Sequence, residues 1–351
     1  MKTILYIIII PYLILTLSSC SEDLNHSSLS KKTNNLLYEC YYTYEDGKLL
    51  NGDSASMIFI RYKLSSGENV IMTFGNKLRT PNQNFDLSDI FIYDNKDSAQ
   101  FYSRDDSNRV FGHQTDNIQP VRIKAINQID GDFANSTSTY FTGGFHGYKN
   151  DTSPEALPTM YEVSKIATTD GKIISPGEKR QCKNIKIIVT NLLQASNTEK
   201  KNGSSRYAME EKTEVNFLND TAFIKTDFIP MEDIQVYQID GLAFFNDFDN
   251  IQFIGSKSKT GTYPPNIVNR ADRNVKTIRQ SNDKYIFDVS IDNRYGIGNL
   301  MYNYYSYNAE IMDARKSYFC LIEVPDTDPI IFKKGQSFSF KGKYVFKLKD
   351  K

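Results

Sequence analysis

The sequence predicts an all-β fold, an antiparallel β-sandwich with long loops and little helix. Apolar residues recur with a period of two in several segments, turn-forming residues separate those segments, and helical spacing of apolar residues is scarce. Because successive side chains of a strand point to opposite faces, each alternating segment has one buried and one exposed face. A chain of 351 residues is long enough to bury a large core between two such sheets.

The predicted strands follow one another along the chain. In the first, Ile58, Ile60 and Tyr62 occupy one face and the residues between them occupy the other. Further alternating segments lie at residues 121–125, 185–189 and 343–349. Clusters of Gly, Asp, Glu, Ser and Thr that predict turns lie at residues 45–47, 65–67, 169–171 and 240–241.

Two polar stretches interrupt this alternation and predict long loops projecting from the sandwich. They lie at residues 94–117 and 194–212. Loops on a rigid β scaffold are where binding surfaces tend to form. A subdivision of the body near residues 225–235 is conceivable, because Pro230 interrupts two strand-like segments.

Charge and motif content exclude several classes of protein. Lys plus Arg and Asp plus Glu both number 42, so the chain lacks the basic surface that a nucleic-acid partner requires. The G-x-S-x-G, H-E-x-x-H and phosphate-binding glycine motifs are absent from the sequence, and we predict no cofactor and no metal. The acidic segment 247–250 is interpreted as a hairpin turn rather than a calcium loop, because it lacks the full ligand spacing.

Cysteine usage indicates a structural role. The widely spaced Cys40, Cys182 and Cys320 form no C-x-x-C pair, so a thiolate zinc site or a redox dithiol is not expected. One disulfide together with one buried thiol is compatible with the count. Cys320, within an apolar run, is expected at a core position.

The N-terminus has the pattern of a secretory signal. Lys2 precedes an apolar stretch at residues 4–17, and Leu-Ser-Ser-Cys follows at residues 17–20. These residues resemble the lipobox of bacterial lipoproteins, which implies cleavage before Cys20 and a diacylglycerol on its sulfur. The expected organisation is then a signal peptide at 1–19, a flexible tether at 20–35 and the folded body at 36–351.

The resemblance to bacterial lipoproteins also implies a location. The lipid would anchor the protein to a bilayer of the cell envelope. Glu22 and Asp23, directly after the anchor, are similar to the acidic signals that send some lipoproteins to the outer face of the outer membrane. An ordinary, non-lipidated signal peptide is the alternative.

A glycine-rich segment brackets one of the three histidines of the chain. Residues 141–148 read Phe-Thr-Gly-Gly-Phe-His-Gly-Tyr, so Gly143, Gly144 and Gly147 surround His146. Glycine permits positive φ and close approach of a ligand, and an imidazole can give or take a proton near neutral pH. His146 is therefore the first candidate for a catalytic or ligand-contacting residue. The alternative is a tight turn in which His146 makes a structural hydrogen bond.

The Gly-Gly-x-His-Gly motif, the Pro-Thr pair at 158–159 and the segments 238–242 and 315–318 resemble a β-rich domain of tail-fibre-like and surface proteins of phages and bacteria. The resemblance covers residues 135–345. Members of that group look like proteins that meet polysaccharides or cell-surface glycans. It implies ligand contacts at Gly143, Gly144, His146 and Gly147, and more weakly at Arg315 and Tyr318, but it implies no single reaction.

A second candidate surface is rich in tyrosine. Trp is absent, so stacking on sugar rings would have to use Tyr or Phe. In the segment 301–307, Tyr302, Asn303 and Tyr305 could stack on sugars and donate to their hydroxyl groups. A strand whose tyrosine rings merely pack together is the alternative.

Three hypotheses about function follow. The leading one is a lipid-anchored envelope protein that binds glycan or another surface ligand. The second is a polysaccharide lyase acting on a uronate-containing glycan, with His146, Tyr148 and Arg122 as catalytic residues, and with His113 or Tyr140 as substitutes. The third is a structural or assembly lipoprotein with a protein partner.

Overall fold

The computed structural model describes residues 37–45, 54–78, 80–93, 109–112, 117–127, 129–203, 206–265, 268–299, 304–305, 307–311 and 316–349. Cys20, His113, Tyr302, Asn303 and Arg315 lie outside these residues. The described part of the body belongs to one unit, residues 35–351. Within the described ranges, no helix is long and apolar enough to cross a membrane.

Three antiparallel sheets form the body, and the described residues contain no α-helix, in agreement with the predicted all-β sandwich. The first six strands are β1 (Tyr38–Glu45), β2 (Ala55–Lys63), β3 (Asn69–Asn76), β4 (Phe85–Tyr93), β5 (Arg109–Gly112) and β6 (Pro120–Ala125). The next six are β7 (Phe141–Gly143), β8 (Met160–Thr169), β9 (Lys172–Ile173), β10 (Lys179–Cys182), β11 (Ile185–Gln194) and β12 (Tyr207–Leu218). Then follow β13 (Thr221–Pro230), β14 (Ile234–Phe245), β15 (Asn250–Ile254), β16 (Thr262–Tyr263), β17 (Asn269–Asp272) and β18 (Thr277–Ser281). The last five are β19 (Tyr285–Ile291), β20 (Tyr307–Ile311), β21 (Lys316–Glu323), β22 (Ile330–Phe332) and β23 (Phe338–Leu348).

The strand order defines a long sheet and two shorter ones. The ten-stranded sheet has the order β16-β15-β18-β19-β23-β13-β12-β11-β8-β9. The six-stranded sheet has the order β10-β1-β2-β3-β4-β5, and the seven-stranded sheet has the order β17-β20-β21-β14-β6-β7 with β22 paired to β14.

The long sheet packs against both shorter sheets through one hydrophobic core. Phe217 of the long sheet contacts Phe74 of the six-stranded sheet edge-to-face, with ring centroids 5.3 Å apart. Phe287 of the long sheet contacts Phe244 of the seven-stranded sheet in the same way, at 5.8 Å. Burial of these rings and of the aliphatic side chains around them is the main stabilising contribution to the sandwich.

The alternation in the sequence located the strands correctly, but the prediction of one exposed face is wrong for β2. Phe59, on the face predicted to be exposed, is 1% exposed because it packs in a second apolar cluster with Ile71 and Phe91. The segments 58–63, 121–125 and 185–189 fall in β2, β6 and β11, and the segment 343–349 falls in β23 up to its last residue, Leu348. The burial pattern of β11 alternates between buried and half-buried positions from Ile185 onward, as period-two patterning requires. The predicted turn at 65–67 lies between β2 and β3, and Asp170 and Gly171 connect β8 to β9, although Thr169 is the last residue of β8. Of the predicted turn at 45–47, Glu45 ends β1, and residues 46–47 lie outside the described residues.

Three further local predictions were wrong. Residues 240–241 lie inside β14, with a β-bulge or irregularity at Asp240, because pairing with β6 and β21 overrides the turn preference of Asp-Gly. The predicted loop 194–212 is shorter, since β12 begins at Tyr207 and pairs with β11. The segment 247–250 connects β14 to β15 in another sheet and is not a hairpin turn.

The three cysteines in the described part of the chain form no disulfide. Cys40, Cys182 and Cys320 are buried and are not part of a disulfide. Cys320 is fully buried, as expected of a core position, but the hydrophobic core contains its neighbours Phe319 and Leu321 and not Cys320 itself. Its side chain lies on the opposite face of β21.

Candidate functional site

The face of the seven-stranded sheet that points away from the core is polar. In β21, Phe319 and Leu321 enter the core, whereas Tyr318 and Cys320 alternate with them and lie on the other face. Their polar partners come from the neighbouring strands. Glu310 of β20 is opposite Tyr318, and Asp240 of β14 is opposite Cys320.

The alternation extends across five strands of the sheet and assembles one surface. We call this surface the polar face, and it comprises Arg122, Gln238, Asp240, Arg270, Glu310, Lys316, Tyr318, Cys320 and Glu323. Asp240 and Glu310 are only 7% and 5% exposed, although they do not belong to the hydrophobic core. Buried carboxyl groups are costly unless they are hydrogen-bonded, so this concentration of acidic groups calls for a specific role.

Hydrogen bonds connect the acidic groups to phenol and thiol donors. Tyr318 Oη donates to Glu310 Oε2 at 2.9 Å. Tyr307 Oη and Cys320 Sγ both donate to Glu323 Oε2, at 2.6 and 2.9 Å. The two carboxylates thus act as acceptors at the centre of the face.

Two arginines stand at the ends of this network. Arg270 Nε lies 3.1 Å from Glu310 Oε1, and its guanidinium carbon lies 4.4 Å from the ring centroid of Tyr307. At the other end, Arg122 contacts Gln238 Oε1 at 3.3 Å and Asp326 Oδ1 at 2.7 Å. Arg122, which the sequence singled out, therefore belongs to the polar face.

The electrostatic potential at the centre of the face is negative. Burial raises the pKa of Asp240 to about 7, and the charges of Glu323 and Glu310 add to this shift, whereas a hydrogen bond from Gln238 and the charge of Lys316 oppose it. Asp240 therefore binds a proton at a higher pH than an exposed aspartate does.

Burial and the neighbouring carboxylates act in the same direction on the phenol and thiol groups of the face. Burial and the neighbouring carboxylates raise the pKa of Tyr318, of Tyr307 and of Cys320 well above their usual ranges. All three groups therefore stay protonated at physiological pH and remain hydrogen-bond donors.

The glycine-rich segment forms a tight turn next to the polar face. Gly143 and Gly144 have φ of +71° and +51°, the left-handed region that favours glycine. His146 N donates to Gly143 O at 2.9 Å and closes the turn. A Cβ on Gly144 would lie 2.7 Å from Pro120 N, so this position also requires glycine for close approach to β6.

Aromatic contacts fix the imidazole of His146. Its ring lies 5.2 Å from Phe141 and 5.8 Å from Phe145 between centroids, and the second pair is stacked. The guanidinium carbon of Arg122 lies 5.9 Å from the centroid of Phe141, and Lys316 Nζ lies 4.9 Å from that of Phe145. The turn and the polar face are therefore joined through these two phenylalanine rings.

Tyr148 faces a different neighbour. Its hydroxyl donates to Asp132 Oδ2 at 2.8 Å, and its ring lies 5.1 Å from that of Phe133. Partial burial and the Asp132 carboxylate raise the pKa of Tyr148 to about 12. Of the three residues predicted to act as a lyase, Arg122 and His146 share contacts with Phe141, whereas the Tyr148 hydroxyl is engaged with Asp132.

The tyrosine-rich segment reaches the opposite end of the polar face. Tyr305 is 40% exposed, and its ring lies 6.0 Å from Tyr307. Tyr304 is 66% exposed and meets Tyr305 edge-to-face at 5.6 Å. A cavity of ≈ 370 Å³ opens here, lined by Ser258, Arg270, Ala271, Asp272, Tyr305 and Tyr307.

Sequence reasoning found the ends of the site and missed its centre. Glu310 and Glu323 carry no local motif, and each is one of 42 acidic residues. Asp240 was noted only as part of a predicted turn and of the segment 238–242, not as an acidic group of a site. Their common signal is an acidic residue at a position where a strand alternates with core residues, which becomes visible only once the register is known. Among the described residues, no group of three or more His, Cys, Asp or Glu side chains could hold a metal ion.

Comparisons with known proteins assign no family. No protein-family model and no curated protein matches the chain. Among solved structures, the chain is similar to galactose 1-epimerase from Lactobacillus acidophilus NCFM, with 10% sequence identity, a TM-score of 0.40, and coverage of 89% of this chain and 99% of the epimerase. It is also similar to the GH36 α-galactosidase AgaB from Geobacillus stearothermophilus, with 10% identity and a TM-score of 0.39; this match covers 88% of the present chain and 41% of the galactosidase. Similarity at this level defines neither family nor function.

Proposed function

We propose that the protein binds a glycan on the polar face of its seven-stranded sheet. The observation that carries the proposal is the convergence of Asp240, Glu310 and Glu323 on one face, with aromatic rings at both ends. Carboxylate groups accept hydrogen bonds from sugar hydroxyl groups, and guanidinium groups donate to them. Titratable groups with shifted pKa values in one concentrated cluster are typical of functional sites.

The aromatic rings supply the second element of sugar recognition. Tyr305 and Tyr307 flank the acidic centre on one side, and Phe141 and Phe145 flank it on the other. An apolar ring face next to a few placed polar groups is the usual composition of a small-molecule site. The proposed glycan-binding surface is therefore extended. It includes Tyr305, Tyr318, His146 and the glycines around His146.

The test is a glycan-binding screen with matched amide variants. Purified full-length protein is applied to a panel of neutral and acidic polysaccharides, and retardation in affinity gels is measured. Glu310→Gln and Glu323→Gln keep the shape of the side chain but remove its charge, and each is expected to weaken binding by at least about tenfold. Glu214→Gln, on the long sheet in a pair with Lys186, is the control and is expected to leave binding unchanged.

Two results would contradict the proposal. One is the absence of retardation by every polysaccharide. The other is binding that is equal in wild type and in both amide variants of the polar face. Specific capture of a protein without glycan binding would favour the assembly hypothesis instead.

The lyase hypothesis has less support in the geometry. A lyase base must lose its proton, whereas the hydroxyl of Tyr148 donates to Asp132 and has its pKa raised to about 12. Formation of unsaturated sugar, followed by ultraviolet absorbance in the same screen, tests it. Loss of that product in His146→Ala would favour the lyase hypothesis over simple binding.

The proposal includes display at the cell envelope through a diacylglycerol on Cys20. The lipid anchor is proposed from residues 17–20, Leu-Ser-Ser-Cys, which resemble a lipobox. In a bacterial host, wild-type protein is expected in the membrane fraction, and Cys20→Ala is expected to lose the lipid-dependent fraction. Ser21→Ala is the matched control, and equal partitioning of all three proteins would rule out the anchor.

A further inference from the structure

We propose that the sugar bound over Glu310 and Glu323 is uncharged, so that the polar face selects neutral glycans and rejects uronates and sulfated sugars. This inference rests on the proposed glycan binding and specifies its ligand class. The polar face contains cations as well as carboxylates, so the sign of its preference depends on how those charges are distributed.

The arginines do not offer a free positive charge to an anionic ligand. Arg122 is paired with Asp326 at 2.7 Å, and Arg270 is paired with Glu310 at 3.1 Å. A carboxylate on the ligand would have to compete with these intramolecular partners for the same guanidinium groups. Arg270 also packs over the ring of Tyr307.

The centre between the two arginines is acidic. Glu323 accepts from both Tyr307 and Cys320, and Glu310 accepts from Tyr318. Arg270 balances the charge of Glu310, and Lys316 partly offsets that of Asp240. Glu323 forms no ion pair with any described residue, so a second negative charge brought close to it is repelled, the more strongly because the site is partly removed from water. Burial, and after it the charges of these carboxylates, raises the pKa values of the phenol and thiol groups.

Hydroxyl groups match this surface without that repulsion. A carboxylate can only accept hydrogen bonds, and each sugar hydroxyl has one proton to donate. Hydrogen bonds to a charged acceptor are stronger than those between neutral groups. Glu310 and Glu323 therefore favour a ligand with several hydroxyl groups and no charge.

The experiment compares one glycan in three chemical forms. A neutral polysaccharide that full-length protein binds is oxidised at its C6 hydroxyl groups to carboxylates, and part of that product is converted to the methyl ester. We expect the carboxylate form to bind at least about tenfold more weakly than the parent, and the ester to recover most of the loss. The loss is expected to shrink as salt rises from about 20 mM to about 500 mM, because salt screens charge repulsion.

Charge variants distinguish repulsion from poor fit. In Glu323→Gln the ratio of neutral to carboxylate affinity is expected to fall, since one repelling charge is gone; Glu214→Gln is expected to keep the wild-type ratio. Equal affinity for the parent and its carboxylate form, or tighter binding of uronates or of free-amine sugars in the panel, overturns the inference while leaving glycan binding intact. Absence of binding to any glycan overturns the proposed function itself.

Discussion

The side-chain amide of Asn82 holds the backbone of His146, with Asn82 Nδ2 donating to His146 O at 2.9 Å across 64 positions of the chain. The same nitrogen donates to Gly144 O at 3.0 Å, and Asn82 Oδ1 accepts from the backbone N–H groups of Thr159 and Met160 at 2.8 and 3.1 Å. One buried side chain thus joins the histidine turn to the start of β8. The position of His146 depends on a residue that the local motif does not contain.

Replacing Asn82 by Ala should therefore destabilise the protein and loosen the turn. Removal of the amide leaves several buried backbone groups without their partner, which is expected to lower the free energy of unfolding by about 2–4 kcal/mol. Urea denaturation measures the change. Asn216→Ala is the control, since the Asn216 side chain donates to half-buried Glu214 at 2.7 Å, and its effect is expected to stay below about 0.5 kcal/mol. Equal effects of the two substitutions would contradict this role of Asn82.

Gly144→Ala should destabilise the folded protein more than Gly171→Ala does. Both glycines have positive φ, +51° and +78°, so both alanine variants incur the left-handed backbone penalty of about 1 kcal/mol. Only at Gly144 would the new Cβ meet fixed backbone, with Pro120 N at 2.7 Å, whereas nothing lies within 4 Å at Gly171. We expect Gly144→Ala to cost at least about 2 kcal/mol more in the free energy of unfolding, measured by urea denaturation. A difference near zero would show that β6 can move away.

The buried ion pair between Lys77 and Asp86 should be sensitive to the loss of one partner. The two charged atoms are 3.3 Å apart and the side chains are 1% and 0% exposed. Lys77→Met leaves Asp86 as a buried charge without its cation, which is expected to cost about 3–5 kcal/mol. Lys179→Met removes a surface pair with Glu39 and should cost below about 1 kcal/mol. Thermal or urea unfolding of both variants measures the two losses, and equal losses would contradict a special role of the buried pair.

Glu211→Gln should flatten the pH dependence of stability. Burial raises the pKa of Glu211 to about 8, with a hydrogen bond from Asn191 opposing the shift. The folded state therefore holds a proton that the unfolded chain releases near pH 4, so the stability that this group contributes is fully present below about pH 4 and is lost as pH rises towards about 8. The slope is at most about 1.4 kcal/mol per pH unit.

The Gln variant carries no such proton, so its unfolding free energy should fall less than that of wild type between about pH 5 and about pH 8. Glu199 and Asp240 also have raised pKa values and are expected to leave part of the slope in both proteins. Denaturant titrations of wild type and variant at the two pH values give the comparison. Parallel slopes would show that Glu211 ionises in the folded protein as readily as in the unfolded chain.

The three buried thiols should be unreactive in the folded protein. Burial raises the pKa of Cys182 to about 12 and raises the pKa values of Cys40 and Cys320 further above their usual range. Because the thiolate is the reactive form, alkylation at neutral pH should modify these residues only after unfolding. Peptide mass spectrometry after iodoacetamide treatment, with and without denaturant, resolves the three positions. Rapid labelling of native Cys320 would show that the polar face is open around it.

The strands could be predicted from the sequence because alternation is local. Ile58, Ile60 and Tyr62 can be assigned to one face of a strand before the residues that pack on that face are known. The turn around His146 can be predicted from its glycines. Tyr305 was similarly visible as part of a tyrosine-rich segment. These features required only neighbouring residues.

Pairing between distant strands could not be predicted in this way. Asp240 and Gly241 have the composition of a turn, yet they continue β14, where a Cβ on Gly241 would lie 3.0 Å from Ile291 Cδ1 and 3.1 Å from Phe319 Cβ. Glycine is needed there for close packing between sheets. Glu310 and Glu323 became part of a site only through the register of β20, β21 and β14, which tertiary packing determines.

The bond between Arg122 and Asp326 joins residues 204 positions apart in the chain. The polar face draws on β6, β14, β17, β20 and β21, so no short fragment contains it, and many large chain loops must close before it exists. Recognition of a ligand there requires that these distant strands have already paired. A ligand that binds only the native state would then shift the folding equilibrium towards that state by mass action. The fraction of protein that binds the ligand would equal the fraction of molecules that are fully folded.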